Sequence, residues 1–211
     1  MKLQFDLCVE KMSRRLRSMF IAILLGVGAL APMTAVASEA ELWTRLQQGD
    51  LVVLLRHTET VAGVGDPPGF KLDDCATQRN LSAAGRSQAR AWSGTIRKHT
   101  VPIGGVFSSQ WCRTVETAKL AFGTADTWPA LNSHFDNPQT ASLQAAAVRG
   151  GIPARMHAGK NLVLVTHQVN IFALTGRTPT MGEAVLATVE RAKSSGEPVS
   201  LRAIGMLKLP Y

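Results

Sequence analysis

The chain has 211 residues, of which 45% are apolar and 18% charged, and a formal net charge of +8. This length accommodates one domain with a substantial core, and the composition excludes a disordered chain or a repeat array. The positive balance favours anionic partners through long-range attraction or serves solubility alone. No Lys/Arg stripe interleaved with aromatics occurs, so nucleic acid is not an expected partner.

Residues 1–37 read as a secretory signal peptide and residues 38–211 as the working domain. Arg14, Arg15 and Arg17 form a basic patch, an apolar run extends from Met19 to about Leu30, and Ala35-Val36-Ala37 forms a small-x-small site. This layout predicts cleavage between Ala37 and Ser38. The same stretch read as an uncleaved anchor approaches the ~20 residues of a span, but Pro32 and Thr34 interrupt it. No Cys follows the apolar run, which argues against a lipid anchor. Asp6 and Glu10 suit a leader poorly, which makes Met12 an alternative start, and Arg14-Arg15 is a weak twin-arginine signal. Cleavage removes five basic and two acidic residues and leaves a net charge of +5. The expected location is periplasmic or secreted, without stable membrane insertion after cleavage. Cys8 departs with the leader. Cys75 and Cys112 remain, and an oxidising compartment permits one bridge between them, although spacing alone does not decide between a bridge and two thiols.

In chain order, a short helix is predicted over 39–48. A buried strand follows over 51–55, where the run LVVLL comes after Gly49-Asp50. Residues 61–80, rich in Gly, Pro and Asp, form a long loop of the kind that often carries function. Ser82 is the expected N-cap of the next helix. A strand over 104–108 and a helix over 111–120 come next, then a helix over 139–148 ended by the breakers Gly150-Gly151 and Pro153. Residues 161–166 (NLVLVT) form a third buried strand, and residues 168–174 a short helix stopped by Gly176. Residues 184–190 and 200–207 read as two strands joined by the polar turn SSGEP.

Strands alternating with helices predict an α/β fold: a three-layer sandwich with a mostly parallel central sheet and helices on both faces. Ligands of such sheets bind beyond the carboxyl ends of the strands. That rule selects Arg56-His57, the segment from Ser108 to Arg113, and His167, each place bearing a cation or a group that can become one. Guanidinium groups match phosphate geometry. A neutral imidazole can attack phosphorus and divide one difficult transfer into two easier ones.

Four segments extend this reading. LLRHTET places an Arg-His pair at a strand end, QRNLSAAGRSQA opens a helix after the loop, VFSSQWCRTVETA carries Arg113, and NLVLVTHQVNIFALTG ends a strand at His167. In this order they resemble the signature of the histidine phosphatase superfamily, the phosphoglycerate-mutase-like and acid-phosphatase-like enzymes, over about residues 51–176. The family signature is usually Arg-His-Gly, and this chain has Thr58 in the third place.

The resemblance implies that His57 is a phosphate-accepting nucleophile and that Arg56, Arg113 and His167 bind the transferring phosphoryl group. Asp136 is the first candidate for proton donor and Glu59 the second, against the simpler readings of a turn residue and a loop ion-pair partner. The His-Asp pair of acid phosphatases is absent, since Gln168 follows His167. Arg79 is expected either to touch phosphate or to pair with Asp73 or Asp74. His99, His134 and His157 lack metal-ligand spacing, so neither a metal nor another cofactor is expected. The expected substrate is a small phosphomonoester, with sugar phosphates of the bacterial envelope as one class. Phosphoglycerate mutase activity is disfavoured by export. The alternatives are a non-catalytic phosphate- or phosphosugar-binding module on the same fold and, remotely, a serine hydrolase using Ser108 or Ser109, for which no Gly-x-Ser-x-Gly elbow exists.

Overall fold

The computed structural model describes residues 37–190 and 198–209. The leader, apart from Ala37, and most of the turn at 194–198 fall outside them. The elements are α1 (Glu39–Gln48), β1 (Val52–Arg56), α2 (Ala83–Lys98), β2 (Ile103–Ser108), α3 (Cys112–Phe122), β3 (Asp126–Thr127), α4 (Ala141–Gly151), β4 (Asn161–Thr166), α5 (Gln168–Thr175), β5 (Glu183–Glu190) and β6 (Ser200–Lys208). Six strands form one sheet in the order β3-β2-β4-β1-β5-β6. Strands β3, β2, β4 and β1 run parallel, whereas β5 is antiparallel to both β1 and β6.

The central strands are continuous apolar runs because both their faces are covered. Val53 and Leu55 of β1 face a cluster containing Leu42 of α1, Trp92 of α2 and Ala118 of α3. Val52 and Leu54 face the opposite cluster, with Ala145 and Val148 of α4 and Ile171 of α5. The alternation of side chains along a strand thereby generates the three-layer sandwich. In the sheet register Arg56 lies opposite Thr166 and Ser108 opposite Val165, so the carboxyl ends of β1, β2 and β4 are level.

The start of α2 docks directly onto the chain leaving β1. Ser82 Oγ accepts from the Gly85 amide at 2.9 Å as N-cap and donates to Glu59 Oε1 at 2.8 Å. A Cβ on residue 85 would overlap the Glu59 carbonyl oxygen, so only glycine permits this approach. Gln88 Oε1 accepts from the Glu59 amide at 3.1 Å. The Ser-x-x-Gly-x-x-Gln spacing is thus a docking surface for the residues beyond His57.

Two local expectations are corrected. Helix α4 starts after a 3-10 turn at Pro138–Thr140 and continues through Gly150 and Gly151 rather than stopping before them. Gly151 packs against the Trp128 indole, where a Cβ would collide, so this glycine serves packing and not termination. Strand β3 was not anticipated: its two residues are exposed and carry no alternation.

Candidate active site

Arg56 ends β1 and His57 follows it. The His57 amide donates to the Thr166 carbonyl at 3.0 Å, which extends the parallel ladder one residue past the strand and fixes where the ring emerges. His57 Nδ1 lies 2.8 Å from the Thr58 carbonyl. A carbonyl only accepts, so Nδ1 carries the proton and Nε2 keeps its lone pair. Burial, with repulsion from Arg113, Arg56 and Arg79, lowers the pKa of His57 to about 3 against the opposing pull of the Thr58 hydrogen bond. The ring is therefore neutral at physiological pH.

Thr58 fits in the place where glycine is usual. Its amide donates to Thr117 Oγ1 at 3.1 Å, and the two hydroxyl oxygens are 3.1 Å apart. Thr117 gives its own proton to the Arg113 carbonyl at 2.7 Å, so Thr58 is the donor of the hydroxyl pair. The link joins the residue after His57 to the helix that carries Arg113.

His167 follows β4, buried, with its ring centroid 5.5 Å from that of His57 and edge-on at 64°. Burial and repulsion from His57, Arg113 and Arg56 hold its pKa well below the ordinary imidazole value. Its Nε2 lies 2.8 Å from Ser109 Oγ, which lies 2.7 Å from Thr114 Oγ1. Thr114 Oγ1 also lies 2.7 Å from the Trp111 carbonyl, so His167, Ser109 and Thr114 form one hydrogen-bonded chain that fixes the His167 ring. Ser109 is fully buried.

Arg113 sits in the first turn of α3, and its Nη1 pairs with Asp66 at 2.8 and 3.0 Å. Asp66 also accepts from Trp111 Nε1 and from the Arg79 amide, each at 2.9 Å. Burial alone would raise the Asp66 carboxyl, but the bonds from Arg113, Arg79 and Trp111 hold it below its ordinary value. Asp66 is the member that sequence reasoning missed, being one carboxylate among several in the Gly/Pro/Asp loop. A disulfide joins Cys75 to Cys112, with Cα atoms 5.7 Å apart, and ties that loop to the residue before Arg113.

These groups border one cavity of about 810 Å³, lined among others by Arg56, His57, Arg79, Arg113, Asp136 and His167. The four residues predicted at the strand ends are thus brought together, and Asp136 lies at the same cavity. Glu59 does not line it: its carboxylate is engaged by the Ser82 hydroxyl at the start of α2. Arg79 turns to the cavity rather than to Asp73 or Asp74, and donates to the Gly63 carbonyl. Arg56 is held by Gln168 Oε1 at 2.9 Å and the Pro179 carbonyl at 3.0 Å. The Nε atoms of Arg56, Arg79 and Arg113 are buried without a hydrogen-bond partner. Three guanidinium groups beside a neutral, oriented imidazole have the charge and donor geometry to take an anion such as phosphate. Among the described residues no cluster of His, Cys, Asp or Glu is arranged to hold a metal ion, and no helix is long and apolar enough to cross a membrane.

The family model of the histidine phosphatase superfamily (branch 1) matches residues 52–145. No curated protein matches the chain significantly. Three solved structures share its fold. A mycobacterial glucosyl-3-phosphoglycerate phosphatase complexed with VO3 is 17% identical at a TM-score of 0.52, covering 74% of this chain and 97% of that one. Mycobacterial hydrolase 2 is 18% identical at 0.51, covering 73% and 88%. A candidate alpha-ribazole-5'-P phosphatase from Escherichia coli str. K-12 is 18% identical at 0.51, covering 74% and 96%. Residues 52–145, from β1 into α4, match the histidine phosphatase superfamily (branch 1), and the chain shares its fold with these solved structures.

Proposed function

We propose that the protein is an exported phosphomonoesterase working through a phosphohistidine on His57. The observation that carries this reading is the His57 ring itself, neutral, with Nδ1–H held by a carbonyl and Nε2 free beside three guanidinium groups. Nε2 attacks phosphorus in line, the P–O bond to the alcohol breaks, and the leaving oxygen takes a proton from Asp136. A bound phosphate dianion offsets the repulsion that keeps His167 neutral and favours its imidazolium as an added donor. Water then attacks the phosphohistidine and returns its proton to Asp136, and the N–P bond breaks to release phosphate. Arg56, Arg113 and Arg79 stabilise the charge that spreads over the equatorial oxygens in both steps.

The signal-like leader and the disulfide support export, since such bridges persist in oxidising compartments. Envelope sugar phosphates satisfy the requirements of the phosphate end. The experiment is hydrolysis of a phosphomonoester panel by the purified protein beside His57→Ala, with quenching in alkaline denaturant to trap an acid-labile phosphoenzyme. Turnover and trapped phosphate in the wild type alone are expected; equal rates in both proteins reject His57 chemistry. N-terminal sequencing of the exported protein tests the leader, with Ser38 as the expected first residue. One observation favours a rival reading, a binding module. The carboxylate fixed at the phosphate end, Asp66, is ionised and so cannot donate a proton. Stoichiometric phosphate binding without turnover would select that reading.

A further inference from the structure

The cavity is far larger than a phosphoryl group requires. Its volume of about 810 Å³ lies toward the upper end of the roughly 300–1,000 Å³ that encloses whole drug-sized ligands. The phosphate end, with His57 and the guanidinium groups, occupies its inner part, where side chains are buried or half-buried. Its outer part has a different chemistry. Val64, Phe135 and Phe172 all line it, with exposures of 89%, 56% and 57%. Of the phenylalanines among the described residues, these two are the exposed ones, and both are at this cavity. Scattered exposed apolar residues are ordinary, but convergence on one concave site is a binding feature.

The three side chains come from the same segments that supply the phosphate end. Val64 is two residues before Asp66 in the long loop, Phe135 immediately precedes Asp136, and Phe172 lies one turn along α5 from His167. Each segment therefore offers a polar or charged group inward and an apolar group outward. A phosphomonoester seated with its phosphorus at His57 directs its alcohol into this outer part. Polar partners for a sugar's hydroxyl groups at this cavity include Ser133, Gln168 and Thr178, but the two rings and the valine offer none and desolvate whatever hydroxyl faces them. An alcohol with an apolar body instead removes those rings from water.

We propose that Val64, Phe135 and Phe172 form a subsite for an apolar alcohol, aryl or alkyl, attached to the substrate phosphate. This rests on the phosphomonoester reading above and specifies its substrate class. The test measures binding, so that it stands whether or not turnover occurs. Dissociation constants of the full-length protein are determined for 1-naphthylmethylphosphonate, octylphosphonate, 2,3-dihydroxypropylphosphonate and methylphosphonate, none of which has a hydrolysable ester bond. At least one apolar phosphonate should bind about tenfold or more tightly than methylphosphonate, and the member that gains distinguishes an aryl from an alkyl body. The ratio should fall toward one in the Phe135→Ala/Phe172→Ala double variant. Both side chains are solvent-exposed, so the fold should survive, and an unchanged melting temperature verifies this. Val64→Ser serves as a second, milder variant with a smaller loss of the same ratio. Equal affinities across the series, tightest binding of the dihydroxy compound, or a ratio untouched in the double variant would overturn the subsite. Loss of hydrolysis with the apolar preference intact would sink the enzyme reading and spare the subsite.

Discussion

Asp66→Asn is the substitution through which the construction of the site can be measured. The Arg113 and Asp66 side chains are 5% and 4% exposed, so the pair is a buried one. Removing one charge leaves the other buried and uncompensated, at a cost of about 3 kcal/mol at the lower end of the usual range, which suits a replacement that keeps one carbonyl acceptor. For a domain of this size that cost corresponds to roughly 6–12 °C in melting temperature. The effect depends on pH in a definite direction. The folded carboxyl titrates below its ordinary value, while the unfolded one titrates near 4 (about 3.9). The unfolded chain thus binds more protons in acid. The stabilisation is complete above about pH 4 and is lost as the pH falls through the lower folded value. Thermal melts by circular dichroism should show the full gap between wild type and variant at pH 7 and a shrinking gap below about pH 4. Because Asp66 grips Nη1 of a guanidinium that lines the cavity, loss of that grip should lower kcat/KM for p-nitrophenyl phosphate on the order of 100-fold through misplacement of Arg113. Identical melting at pH 7, or tighter phosphate inhibition in the variant, would refute an orienting role.

Three other outcomes are expected. The Cys75–Cys112 bridge spans 37 residues and should contribute about 4 kcal/mol by loop closure, so dithiothreitol should lower the melting temperature by several degrees or more, as calorimetry can measure. Asp136→Asn should lower kcat for alkyl phosphates roughly 100-fold or more and spare p-nitrophenyl phosphate, whose leaving group needs little protonation; equal losses for both would remove Asp136 as donor. The His57 imidazole, with its pKa of about 3, should remain neutral by nuclear magnetic resonance from pH 7 down to about pH 4, and titration near 6.5 would contradict its burial among arginines.

The fold was legible wherever burial imposed a pattern. Asn161–Thr166 was delimited correctly because all six residues are buried and the apolar run ends sharply. Strand β1 extends to Arg56, one residue past its apolar run, because pairing with Thr166 and not hydrophobicity sets its end. Gly150-Gly151 misled because glycine weakens a helix without forbidding it, and the contact of Gly151 with Trp128 holds the last turn in place. The disulfide was permitted by the sequence but undecidable from it, since the distance between two Cα atoms is a property of the fold.

The site divides along the same line, and the division has a physical cause. Arg56 ends, and His57 and His167 follow, strands whose register the core fixes, so the rule that ligands gather at carboxyl ends found them. Arg113 is reached from β2 through one turn. Asp66 and Arg79 lie on a loop with no periodicity, and nothing local separates Asp66 from Asp73 or Asp74. What singles it out is an ion pair with a residue 47 positions away. Glu59 was attractive because it stands two residues from His57, yet the backbone delivers it to Ser82, where the start of α2 uses an acceptor. The two sides of the cavity therefore have different origins. The histidine side is held by the packed sheet and is rigid for the same reasons that the core is. On the other side Arg113 stands on α3, while Arg79 and Asp66 stand on a loop tied to that helix by the ion pair, the Trp111 and Cys112 hydrogen bonds and the disulfide. Acid acts on the ion pair and reductant on the disulfide, so both perturbations should reach the same wall of the cavity while the sheet keeps His57 and His167 in place.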